Sequence, residues 1–165
     1  MQQTLVWKPR HSPGVETLRL SQDANGIHAT SHLMQVIKGN SIVANYLIDC
    51  DSHWRFRRLW LKVDNHGQRN LCLQRDLRGN WLLNGEPRPE LQQCQHIMLS
   101  ASPFTHTPLL QRSALEPGKA TRSRSPISTC SVSRWSRVSS AISACAAAPG
   151  KASTAARSKA TPRKS

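Results

Sequence analysis

Six residues carry the chemistry this sequence can offer: Trp54, Trp81 and Phe104 as apolar surfaces, Arg55 and Arg57 as guanidinium donors, and Asp76 as a carboxylate. Apolar rings can shelter an acyl chain, at about 0.8 kcal/mol per buried methylene, while Arg and Asp can hydrogen-bond sugar hydroxyls or a phosphate. Together they suit the binding of an amphiphile. Each also has a structural use. The aromatics, with Phe56 and Trp60, can pack an ordinary core. Asp76 heads a turn and can cap backbone N–H groups. Arg55 and Arg57 can pair with Asp49 or Asp51. Thr105 and Thr107, after Pro103 and Phe104, are suited to local backbone hydrogen bonds.

Catalysis finds little support. There is no GxSxG elbow, P-loop or HExxH, and the seven histidines do not cluster with Cys or carboxylates at ligand spacing. His28 and His32 are four apart, but the alternating pattern around them predicts a strand, where they stand far apart along one face. Cys50, beside Asp51 and His53, is the one nucleophile-and-base cluster, and strand geometry points Cys50 away from His53. No enzymatic activity, cofactor or metal site is therefore expected.

The elements that must position these residues are strands. Apolar residues recur at spacing two and Gly or Asn interrupts them, the pattern of short antiparallel strands. Strands are predicted at 15–20, 27–37, 41–51, 54–63, 69–75, 81–83 and 91–100, with turns at Asn25-Gly26, Lys38-Gly-Asn40, Asp64-Asn-His-Gly67, Asp76-Leu-Arg-Gly79 and Asn84-Gly85. Helical periodicity is almost absent. Connections this short imply a meander of neighbouring strands, hence an all-β antiparallel roll or half-open barrel. Within 54–60, alternation puts Trp54, Phe56 and Trp60 on one face with Arg58 between them, and Arg55 and Arg57 on the other.

Four ordered motifs carry a family resemblance: Tyr46-Leu-Ile-Asp-Cys-Asp-Ser-His-Trp-Arg-Phe-Arg57, Leu73-Gln-Arg-Asp-Leu-Arg-Gly-Asn-Trp81, Glu90-Leu-Gln-Gln-Cys94 and Leu99-Ser-Ala-Ser-Pro-Phe-Thr-His-Thr107. With Gly14-Val-Glu-Thr-Leu18 near the start, residues of about 7–118 resemble a bacterial family labelled glycolipid-binding. The resemblance implies a spiral β-roll and a pocket for an amphiphile such as a glycolipid. The chain departs from the family at His96 and Met98, where Asp is usual, and at His106, where Asn is usual.

The chain changes character at Gly118. Residues 1–118 hold 13 basic and all 9 acidic residues, a net +4, whereas 119–165 hold 10 basic and no acidic ones. The first stretch has the size of one domain. The second, poor in large apolar residues, cannot offset its chain entropy and is expected to be a disordered basic tail. Such a polycation would bind nucleic acid non-specifically, the alternative function. Shifting plausible codons for 119–145 by one base gives a peptide that alternates apolar and polar residues, contains acids and resembles the family's closing strands, so the tail is read as a frameshift product. Loss of those strands would leave a roll incomplete at its C-terminal end, with an unpaired sheet edge.

Five cysteines without a CxxC pair predict neither zinc nor a disulfide framework, and Cys50, Cys72 and Cys94 are read as reduced apolar strand residues. Residues 5–7 make an apolar patch far too short for a signal peptide or a membrane span, which predicts a cytoplasmic protein with no transmembrane segment.

Overall fold

The computed structural model describes residues 1–37, 39–65, 67–112, 129–132 and 142–145, the side chains of residue 37 and of the last two stretches excepted. Eight strands run in chain order through one antiparallel sheet: β1 Gln2–Trp7, β2 Gly14–Asp23, β3 Gly26–Ile37, β4 Asn40–Cys50, β5 Phe56–Asp64, β6 Gln68–Arg75, β7 Trp81–Leu83 and β8 Glu86–Pro87. The sheet does not close, and β1 and β8 are its edges. The predicted all-β meander is the observed one.

Period-two burial builds the core. Leu20, Ala29, Ile48, Leu59, Leu73 and Leu83 pair in succession across six strands and all face inward. Arg19, Thr30, Leu47, Trp60 and Cys72 form the neighbouring row on the opposite face. Turn chemistry sets the register. Asn84 and Gly85 both have positive φ, at 52° and 88°, the conformation of a two-residue hairpin turn matched to strand twist. At Gly26 (φ 137°) a Cβ would lie 2.2 Å from the Cys50 carbonyl oxygen, so only glycine lets the β2–β3 hairpin meet the end of β4.

Four details differ from the sequence reading. β1, unforeseen, pairs along its whole length with β2 but buries little, since an edge strand is held largely by backbone hydrogen bonds. In β5 the register slips between Asp49 and Cys50, which pair with Arg58 and Phe56, leaving Arg57 as an extra residue. This bulge flips the remainder of the strand: Phe56, Leu59, Leu61 and Val63 are buried, while Trp60 is 41% exposed on the face opposite Phe56. The expected 91–100 strand shrinks to β9 His96–Leu99, preceded by a 3-10 turn Pro89–Leu91, because Leu91 and Cys94 are buried at turn spacing rather than strand spacing. Helical structure then appears, as a 3-10 turn Pro103–His106 leading into α1 Thr107–Arg112.

Cys50 and Cys72 are free, as expected, but Cys94 is disulfide-bonded and sits off any strand, which corrects its reading as a reduced strand residue. Within 119–165 two four-residue strands are described, β10 Thr129–Val132 and β11 Ile142–Cys145. β10 pairs parallel with β9 and antiparallel with β11, which makes a second sheet of three strands. The remainder of 119–165, on which the disorder and nucleic-acid expectations fall, lies outside the described residues. No helix among those described is long and apolar enough to cross a membrane.

Candidate functional site

Two carboxylates at one end of the sheet shape its loops. Asp51, just past β4, accepts the backbone N–H groups of His53 and Arg55 at 2.9 Å through one oxygen. Burial pushes its carboxyl up, but those hydrogen bonds and the Arg57 and Arg55 charges outweigh burial and hold it below the ordinary range. This clamp tightens the β4–β5 loop, in which Trp54 takes a left-handed φ of 61°. Asp76, fully exposed, does the same for the β6–β7 turn. Its Oδ1 accepts Arg78 N–H and Asn80 N–H, and its Oδ2 accepts the Asn80 amide, all at 2.8 Å. The Asn80 side-chain bond is the chief cause that holds its carboxyl low. Sequence reasoning gave Asp76 this turn-capping role as the alternative to ligand contact.

Between these loops stands an aromatic and cationic cluster. Trp81 is buried, stacks on Phe56 with ring centroids 5.2 Å apart and planes 16° apart, and donates Nε1–H to the Cys94 carbonyl at 3.2 Å. The Arg75 guanidinium lies 5.8 Å from the Trp81 ring centroid, within cation–π range. Arg112, at the end of α1, donates Nη1–H to His96 Nε2 at 3.1 Å. A guanidinium only donates, so His96 Nε2 is the acceptor and the neutral ring carries its proton on Nδ1. Burial first, then the Arg112 and Arg75 charges, push His96 down to about 4. Arg75 is itself lowered, by burial first, then by repulsion from Arg112 and, less, from Arg55, with Asp76 opposing.

Folded His96 therefore stays neutral where an unfolded histidine, with its ordinary value of 6.5, takes up a proton. Stability is expected to fall as pH drops from 6.5 to about 4, and His96→Gln should flatten that part of a thermal-midpoint profile. Parallel profiles for the two proteins would refute the assignment. The carboxylate losses of Asp51 and Asp76 fall separately, below their ordinary value of 3.8.

Of the six residues singled out in the sequence, Trp81 lies under Arg75 and Asp76 follows Arg75 in the turn, while the Arg55 and Asp76 charges act on Arg75 in opposite directions. Trp54 is half-buried against the core. Arg57 turns to Asp51 at 3.7 Å, the pairing foreseen for it. Phe104 is buried in the core on the 3-10 turn. Arg75, His96 and Arg112 were missed. Arg75 precedes Asp76 in a recognised motif and could have been found, whereas Arg112 lies 16 residues from its partner His96 with no local signal.

The other chemistry is closed. Burial, then the Asp51 and Asp49 charges, push the Cys50 thiol up to about 12, so it carries no thiolate at neutral pH. Among the described residues no cluster of His, Cys, Asp and Glu could hold a metal ion. Thr105 Oγ1 donates to local backbone, to Ser102 O at 3.0 Å, as anticipated. A groove of about 410 Å³ lies over the outer sheet face by Arg19, Thr30, His32, Asn45 and Trp60, apart from the arginine end. Its His32 and Asn45 side chains hydrogen-bond each other at 2.7 Å.

A further polar centre is wholly internal. Glu16 Oε1 accepts hydrogen bonds from Tyr46 at 2.6 Å and from Ser31 and Ser102 at 2.8 Å, and all four residues are buried. Tyr46 and Ser102 also touch at 2.7 Å. The Tyr46 hydroxyl is pushed well up, by burial first and then by the Glu16 charge. It is a clamp between the sheet and the segment after β9.

Comparison with known proteins agrees with this architecture. The crystal structure of a DUF1089 family protein from Pseudomonas aeruginosa matches with a TM-score of 0.62 and 30% sequence identity, over 76% of this chain and 66% of that one. The chain thus spans just under two-thirds of that protein's length. No curated protein matches. The family model described as "Putative glycolipid-binding" matches residues 4–127, which contains the whole span recognised from its motifs. With a match over most of its length, the chain belongs to the family so described.

Proposed function

We propose that this protein binds an amphiphile such as a glycolipid without transforming it, in the cytoplasm, at the end of the roll where Trp54, Arg55, Arg57, Asp76, Trp81 and Phe104 form the site or its frame. The observation that carries the reading is the position of Arg75 over the buried Trp81–Phe56 stack. Apolar interior and fixed positive charge meet there, the pairing an amphiphile requires. The family description points the same way. In this reading Asp51 and Asp76 hold loop shape, and Trp54 and Trp81 supply the apolar surface.

The test uses the full chain with dodecyl maltoside below its micelle concentration, read by native mass spectrometry. A one-to-one adduct is expected, weakened at least tenfold by Trp54→Ala combined with Arg55→Ala. Absence of the adduct, or an adduct indifferent to the double substitution, would sink the reading.

A further inference from the structure

We infer that Arg55, Arg75 and Arg112 form a binding site for an oxyanion of the phosphate or sulfate class, whether a lipid headgroup or a free ion. The inference rests on the proposed reading in taking the same end of the roll, and it gives the ligand a charge.

Pairing explains why an anion fits. Two neighbouring arginines already meet carboxylates: Arg58 lies 2.7 Å from Asp49, and Arg57 3.7 Å from Asp51. Among the described residues no carboxylate lies within ion-pair distance of Arg55, Arg75 or Arg112. Asp51 Oδ1 holds loop N–H groups while its Oδ2 faces Arg57, and both Asp76 oxygens are taken up within the β6–β7 turn. Arg75 Nε is buried without any hydrogen-bond partner, so one of its donors is left unmade. Arg112 spends its described bond on a neutral imidazole. A tetrahedral oxyanion would replace that bond with charge-assisted ones, roughly twice as strong, and relieve the repulsion between Arg75 and Arg112.

Planar guanidinium groups match such an anion through parallel N–H donors. Arg75 stands over Trp81, whose Nε1–H bonds the Cys94 carbonyl two residues before His96, the partner of Arg112, and Arg55 precedes Phe56 in the Trp81 stack. The Trp81 ring beneath Arg75 fixes that group on its apolar side. The site therefore favours a phosphate or sulfate ester over a neutral sugar.

The experiment titrates the full chain with inorganic phosphate, dodecyl phosphate and dodecyl maltoside by calorimetry, while NMR follows the His96 ring nitrogens. Phosphate is expected to bind and to shift His96 Nε2 as Arg112 leaves it. Arg75→Met and Arg112→Met should each weaken phosphate at least tenfold, and Arg75→Lys less. Dodecyl phosphate binding much more tightly than phosphate identifies a lipid headgroup as the source, and equal affinities identify a free ion. Phosphate binding with neither detergent bound leaves the oxyanion site standing while the amphiphile reading falls. Dodecyl maltoside binding with no response to phosphate or dodecyl phosphate does the reverse. Phosphate binding unchanged by Arg75→Met with His96 unmoved belongs to the basic 119–165 stretch and overturns the inference. Matching far-ultraviolet circular dichroism of the variants keeps loss of folding from passing as loss of binding.

Discussion

Trp81→Ala is expected to remove about 3–5 kcal/mol of stability, the usual cost of emptying a large buried aromatic site. Trp81 is only 2% exposed. Its ring supports Phe56 on one strand and Arg75 on another, and its Nε1–H reaches the Cys94 carbonyl across 13 residues. Removing it deletes the stack, opens a cavity and orphans a carbonyl. The matched comparison is Trp60→Ala on the outer face, expected to change stability by about 0.5 kcal/mol or less. Urea titration of both variants reads this as a shift in midpoint at constant slope. Comparable losses at the two positions would mean that the bulge does not separate an inner face from an outer one. A large loss at Trp81 also assigns its ring to the core that supports Arg75.

The same pair of tryptophans marks where sequence reasoning succeeds and stops. Strands β2 to β7 were legible because one buried face forces apolar residues to every second position, and because Asn84-Gly85 and the Asp76 turn announce their conformations locally. The bulge opposite Cys50 has no such signature. It consists of one residue too many against a partner strand, so the alternation of Trp54, Phe56 and Trp60 misassigned Trp60. β1 stayed invisible because Gln2 and Gln3 are exposed and its attachment is through backbone. The 91–100 segment misled because Pro89 and buried Cys94 make a turn that apolar content alone reads as strand. Of the site, the loops carrying Arg55 and Asp76 could be read from composition. The convergence of Arg75 with Arg112, and of Arg112 with His96, depends on tertiary placement of α1.

Glu16 lay furthest from a sequence reading: alternation sets it on the face of Leu18 and Leu20, but its carboxylate argues for solvent. Its burial is sustained by hydroxyl donors 15, 30 and 86 residues away. Glu16→Ala is expected to cost about 3 kcal/mol, because Ser31 is left buried with its bond unmade and Tyr46 and Ser102 keep only the bond between them, at about 1–3 kcal/mol per unsatisfied group. Tyr46→Phe should cost about 1–2 kcal/mol alone and much less in the Glu16→Ala background, since both substitutions break one network. Strict additivity in that double-mutant cycle would show that the hydroxyls do not act through Glu16. The consequence reaches the arginine end of the roll. Ser102 leads into the 3-10 turn and α1, so Glu16 ties to the sheet the segment that delivers Arg112 to His96. Loss of Glu16 should therefore speed amide hydrogen exchange at Leu99 and Ser102 and weaken phosphate binding, although Glu16 stands outside the arginine cluster. Binding that falls without faster exchange at those amides would place the effect of Glu16 on the ligand directly.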